Sequence, residues 1–340
     1  MPHLSWETAL AGLLVGMLVG MTGMGGGSLM APVLVFLLGV KPIYAVGTDL
    51  AYSAVTKWVG GFKHYRQGTV DMGIVRLLAL GSVPGSLLGV GAIQHLHRLL
   101  GADSDALVLR ALGLVLIMVA TTMVVRAIVG SAEDQPDKRL RFGRVRLSRA
   151  GRAATVVLGL VVGFLVGLTS VGSGTLFVAV LVAFYPLALH RIVGTDVLHA
   201  ALLTTVAGLA HLSAGNVEGG LMLNLLLGSI PGVWIGATLS TRASLKVLRP
   251  ILAVVLLISG SKMLDAQSGT TTLVALGLFA AAGGGAAYVR FTRRGASGTP
   301  GFLERQFYEP WDYAQLEVGR PDLALVPDER GNYPVSSRLY

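Results

Sequence analysis

Apolar residues in this chain run in long blocks that are hydrophobic all round, not along one helical face. Five blocks lie at about 8–22, 27–39, 45–62, 73–92 and 107–129, and five more at 154–170, 174–188, 193–212, 221–239 and 249–265. A last block near 270–289 stands alone. Most are long enough to cross a hydrocarbon core of about 30 Å as helices. The first two blocks of each set are too short for that. About 14 residues reach roughly 21 Å at 1.5 Å per residue, so each short pair is expected to be a re-entrant hairpin or two broken helices.

The two sets are copies. Shifted by 147 residues, the chain aligns with itself without a gap. Gly16, Gly20, Thr22, Gly25 and Gly27 fall on Gly163, Gly167, Thr169, Gly172 and Gly174. Gly47-Thr48-Asp49 falls on Gly194-Thr195-Asp196, His64 on His211, and Pro84-Gly85 on Pro231-Gly232. Apolar composition aligns Leu with Leu by chance, but not His with His and Pro with Pro in one register. A duplication of this kind fixes the fold class before any single motif does.

Loop charges orient the copies. Lys138, Arg139, Arg141, Arg144, Arg146, Arg149 and Arg152 crowd the linker 130–152, and basic loops stay cytoplasmic. From there, the loop holding Lys63 and Arg66 falls inside and the one holding Arg98 outside. In the second copy the loop after His211 falls outside and the one holding Arg242, Lys246 and Arg249 inside. The basic loop changes place between copies, as inversion requires; were each short pair one long kinked span, the copies would be parallel and Arg242 to Arg249 would face outside. The expected fold is an all-α polytopic membrane protein of two inverted five-segment repeats with broken or re-entrant Gly-rich helices, plus one extra C-terminal transmembrane helix. The boundaries are 1–129 for the first repeat, 130–152 for the linker, 153–265 for the second repeat, 266–290 for the extra helix and 291–340 for a poorly ordered cytoplasmic tail.

Composition agrees. The chain is 53% hydrophobic and 13% charged, against about 25% charged in soluble domains. The net charge of +9 is concentrated in the linker and has neither interleaved aromatics nor a fold to present it, so nucleic acid is not an expected partner. With no cysteine there is no thiolate metal site, and no metal, cofactor or catalytic pair is expected. Gly23-Met24-Gly25 lacks the last glycine of a dinucleotide loop, and Gly172-Ser173-Gly174 lacks the first glycine of a hydrolase elbow. Both enzyme readings fall.

The Gly-rich runs at 20–32 and 167–179 carry the chemistry. Glycines beside Thr and Ser break a helix, and broken backbone is tolerated at membrane depth only where it lines a cavity or is buried in protein. Half-helices starting near Gly27 and Gly174 point N–H groups inward, an arrangement suited to anions. The candidate substrate-binding residues are therefore Thr22, Gly25, Gly27, Ser28 and Thr48 in the first copy. In the second they are Thr169, Ser170, Gly172, Ser173, Gly174, Thr175 and Thr195. Ionisable residues in apolar segments are functional by default. Asp49 and Asp196 are read either as caps at the starts of their helices or as proton-coupling groups, with His199 one helical turn from Asp196. His64 and His211 at segment ends are candidate gates. Lys57 is noted without a partner. Pro84 and Pro231 are expected to kink their helices.

These features resemble the sulfite exporter TauE/SafE family of membrane permeases. The resemblance rests on the duplicated Gly-rich run, the GTDL and GTDV triplets, AGLAHLSAGNVE at 207–218 and GSIPGVWIG at 228–236. It implies transport of sulfite, sulfoacetate or a related anion, commonly with protons, along a path lined by the Gly-rich runs and Gly-Thr-Asp triplets. The expectation is a secondary transporter of the bacterial inner membrane for a small sulfur-containing oxyanion, with protons and membrane lipid as its other partners. A passive anion channel or a non-transport membrane assembly protein are the alternatives.

Overall fold

The computed structural model describes residues 6–22, 27–129, 147–185, 187, 189–240 and 245–264. The linker up to residue 146, the expected extra helix at 266–290, the tail at 291–340 and Gly25 lie outside the described residues. The main body draws on 1–145 and 154–298, and residues 147–153 belong to a second, small unit. There Ser148 Oγ accepts from Gly151 N at 3.0 Å as a helix opens.

The described residues are helical almost throughout. The first half holds α1 (Trp6–Thr22), α2 (Gly27–Pro32, continued by a π-turn over Val33–Leu37), α3 (Pro42–Arg66), α4 (Met72–Leu100) and α5 (Ser104–Val129). The second holds α6 (Arg149–Thr169), α7 (Thr175–Phe184), α8 (Leu189–Ser213), α9 (Gly219–Ser240) and α10 (Leu245–Met263). Of these, α4, α5, α6, α8 and α9 are long and apolar enough to cross a membrane. α6 is longer than its apolar block because Arg149 and Arg152 add a polar first turn. α7 has ten residues, about 15 Å at the usual rise. α4 and α9 run unbroken through Pro84 and Pro231.

The exterior is as apolar as much of the core, and polar groups lie buried within it. Leu80, Leu88, Ile230 and Trp234 are exposed, while Thr48, Asp49, Ser82, Asp196 and His199 are buried. Exposed apolar side chains around a core that shelters its few polar groups are what lipid as solvent demands.

Each half packs its helices on the other. α1 lies along α9 in parallel: a Cβ on Gly12 would stand 2.5 Å from Leu225 O, and one on Gly16 2.6 Å from Ser229 O. α6 lies along α4 in the same way, with a Cβ on Gly159 falling 2.5 Å from Leu78 O. Gly12 and Gly159, like Leu225 and Leu78, are one repeat apart. Backbone-to-backbone approach through small residues is the usual association mode of helices in lipid. α3 and α8 instead cross antiparallel, Gly60 and Gly61 against Val197 and Leu198, and Gly208 against Ala51. α5 and α10 pack with Gly113 on Gly260, and Gly113 also meets Leu264 as Gly260 meets Ile117, again antiparallel.

Between these pairs the loops are sealed by matched bonds. Thr48 Oγ1 accepts from Glu218 N at 3.1 Å, and Thr195 Oγ1 from Asp71 N at 2.9 Å. Asp71 then caps α4, its Oδ1 accepting from Gly73 N and Ile74 N, while Oδ2 pairs with Arg191 at 3.3 Å.

Candidate functional site

The site is built where α3 and α8 cross, beside the start of α2 and the break between α6 and α7. Pro42 at the first helical position starts α3 well before Asp49, and α8 starts at Leu189. Asp49 and Asp196 are therefore both interior and buried, which removes the capping reading. Asp71, not a Gly-Thr-Asp acid, is the cap.

Asp49, Ser53 and Lys57 follow at four-residue steps along one buried strip of α3. Ser53 Oγ donates to Asp49 Oδ1 at 3.4 Å. Lys57 Nζ crosses to the other half and donates to the Ser173 carbonyl at 3.1 Å and to Ser173 Oγ. The ammonium lies within electrostatic reach of both Asp49 and Asp196.

The second break has a backbone that cannot be ordinary helix. Ser170 takes a φ of 60° and Gly172 a φ of 97°. A serine in the left-handed region costs about 1 kcal/mol or more and persists only where the surroundings impose it. Thr169 Oγ1 closes the last turn of α6 by donating to Leu165 O at 2.6 Å. α7 then starts after Gly174 without a side-chain cap. The start of α2 adjoins this break, since a Cβ on Gly27 would lie 2.8 Å from Ser170 O and 3.3 Å from Asp49 Oδ2.

α8 supplies the remaining groups. His199 is fully buried, hydrogen-bonded through Nε2 to Ser82 Oγ at 2.8 Å and set edge-on to Phe177 at 4.5 Å. The first-half counterpart of His199 is Tyr52, which lies against Ser229, the counterpart of Ser82. The counterpart of Lys57 is Thr204, whose hydroxyl bonds back to Ala200 O at 2.7 Å. The frame is duplicated, but the cation and the imidazole each come from one copy.

Two buried polar atoms beside this centre make no hydrogen bond, Thr175 Oγ1 and His199 Nδ1, while the Ser170 hydroxyl faces the Asp49 carboxylate. Each such atom costs about 1–3 kcal/mol unless something bonds to it. Hydroxyls, an ammonium and an imidazole converging in one place can hold a small anion, and the two carboxylates beside them can carry protons.

Of the expected binding residues, Gly27, Ser170, Ser173 and Thr175 come together here, with Gly172 and Gly174 shaping the break. Ser28 is buried in the first turn of α2, and the side chain of Thr22 lies outside the described residues. The hydroxyls of Thr48 and Thr195 serve the loops of the opposite half. His64 is half-buried at the end of α3, its Nδ1 bonded to Thr69 Oγ1 at 3.0 Å. His211 is buried; its Nε2 donates to Gly167 O at 3.1 Å, and its Nδ1 accepts from Asn216 Nδ2 at 3.4 Å. Sequence reasoning did not assign Lys57, Ser53 or Ser82 to the site. A lysine inside an apolar helix was the available signal.

A multi-pass helical protein with a polar, charged centre between two broken helices belongs to the class of membrane transporters. The comparisons agree: residues 8–263 match the family model for the sulfite exporter TauE/SafE, and the chain belongs to that family. It is 43% identical over 263 residues to the probable membrane transporter protein YjnA of Bacillus subtilis, covering 77% of this chain and 100% of that one. Probable membrane transporter protein YdhB of the same organism is 27% identical over 224 residues, covering 66% of this chain and 85% of its own. An archaeal relative, a probable membrane transporter protein of Methanocaldococcus jannaschii, is 26% identical over 280 residues, covering 75% and 93%. No solved structure matches the chain at a significant level.

Proposed function

We propose that the protein is a proton-coupled secondary transporter for a small sulfur-containing oxyanion, with one central site shared by two inverted halves, 1–129 and 153–265. The observation that carries the reading is the reach of Lys57 from the first half into the break of the second, amid buried hydroxyls. Inversion is supported by the antiparallel crossing of α3 with α8 and of α5 with α10, which are counterparts in the repeat. On this reading α1–α2 and α6–α7 each enter and return on one face, from opposite sides of an inner membrane. The basic linker and the tail are cytoplasmic.

Coupling follows from charge. Two carboxylates and one ammonium already balance to a net negative centre. A unit charge about 5 Å from another interacts by roughly 3 kcal/mol at an effective dielectric of 20. An incoming anion is therefore admitted only when Asp49 or Asp196 takes up a proton, so anion and proton bind together. His199, one turn from Asp196, is the group placed to pass that proton. The anion is held by Lys57 and the hydroxyls of Ser170, Ser173 and Thr175. Reorientation of the halves around it gives alternating access.

Purified protein in liposomes loaded with pyranine tests this. Sulfoacetate uptake is expected to saturate and to move protons with the substrate. Asp196→Asn should break the link between uptake and pH change. Uptake with no substrate-dependent pH change would mark a passive anion channel, and no uptake of sulfoacetate or sulfite would reject the reading altogether.

A further inference from the structure

We infer that a second anion-binding site lies at one mouth of the protein, between the C-terminal ends of α4 and α8, and that it loads the central site. This rests on the oxyanion-transporter reading above. A pocket of about 350 Å³ opens there, lined by Ile43, Gln94, His97, Arg98, Ser213 and Asn216 among others. That volume accepts a small oxyanion with part of its water shell.

The lining is biased towards hydrogen-bond donors. Arg98 contributes a permanent charge and a planar fork suited to two oxygens of one anion. No carboxylate pairs with it among the described residues, and Asp103, Asp105 and Glu218 are not in the lining. Gln94 and Asn216 add amide N–H groups. Ser104 Oγ already donates to Gly101 O at 2.6 Å, so His97 Nδ1 is the donor in their 2.9 Å contact. That bond fixes the orientation of His97 and uses its Nδ1–H, so the donors to an anion are those of Arg98, Gln94 and Asn216.

Asn216 ties the pocket lining to the inner helices. Its amide donates to His211 Nδ1, and His211 Nε2 donates to Gly167 O, three residues before Ser170. The Asn216 backbone carbonyl also fills the space that a Cβ on Gly47 would need. Asn216 thus packs the pocket lining directly onto α3. The physical need is plain: the net negative centre repels an arriving anion, and a cationic mouth raises the local anion concentration against that barrier.

The test is initial-rate uptake of sulfoacetate into proteoliposomes. Arg98→Gln is expected to raise the half-saturating concentration at least fivefold with the maximal rate within twofold. It should also flatten the dependence on ionic strength, and Arg98→Lys should restore most of the affinity. As a second readout, Ser213→Cys in the otherwise cysteine-free chain should react faster with an anionic thiol reagent than with a neutral one. Sulfoacetate should slow that reaction. An Arg98→Gln variant with unchanged half-saturation, or a Ser213→Cys thiol indifferent to reagent charge and to sulfoacetate, overturns the inference while leaving the transporter reading intact. Wild-type protein that takes up neither sulfoacetate nor sulfite overturns both.

Discussion

Lys57→Met is expected to reduce anion uptake at least 100-fold while leaving the protein folded. Lys57 is buried, and its ammonium is shared between the Ser173 carbonyl and the Ser173 hydroxyl. Hydrogen bonds to charged groups contribute about 1.5–3 kcal/mol each. A 100-fold loss corresponds to about 2.7 kcal/mol, within the range of one such bond to a bound anion. Methionine has a similar length and no charge. Removing one partner of a buried charge cluster costs about 3–5 kcal/mol, so the melting temperature is expected to fall, and uptake is compared at a temperature where both proteins stay folded. The variant's centre keeps both carboxylates without their counter-charge and is more negative still, so anion affinity falls with the rate. Uptake within threefold of wild type would remove Lys57 from the site.

The second large effect concerns the seams between halves, where one substitution changes sign with position. Gly228→Ala and Gly81→Ala should each destabilise the protein by about 2–3 kcal/mol, because the added methyl runs into the backbone carbonyls of Ala9 and Val156. Backbone oxygen cannot move aside as a side chain can, so the helices must separate. Gly91→Ala, on the same helix as Gly81, meets nothing within 4 Å. There the change should stabilise by up to about 1 kcal/mol through helix propensity alone. Thermal unfolding in detergent, followed by size-exclusion fluorescence, measures all three. If all three variants melt alike, the glycine seams do not hold the halves together.

Much of this was legible in the chain. The 147-residue register predicts matched environments, and they occur: Gly12 and Gly159 meet Leu225 and Leu78, and Thr48 and Thr195 seal loops from equivalent places. The helix starts at Gly27 and Thr175 fall where stacked glycine ends. What could not be read is which helix lies on which. Blocks apolar all round carry no directional face, so nothing local says that α1 belongs against α9 and α6 against α4. The reach of Lys57 to Ser173 is equally invisible, because it depends on that exchange of partners. The capping reading of Asp49 fails for a local reason. Gly-Thr-Asp resembles a helix start, but Pro42 had already opened α3, and a proline in that position is a signal the sequence does contain.

The whole account depends on the two halves running in opposite directions, since only then do the strips of α3 and α8 and the two breaks converge on one centre. Tyr65 and Leu212 occupy the same place in the two copies, and both are exposed. The natural chain has no cysteine to interfere. Tyr65→Cys and Leu212→Cys, each labelled in intact cells with a membrane-impermeant maleimide, give the direct measurement. The account predicts that Leu212→Cys reacts from outside while Tyr65→Cys reacts only after the cells are opened. Labelling of both from the same side would contradict it.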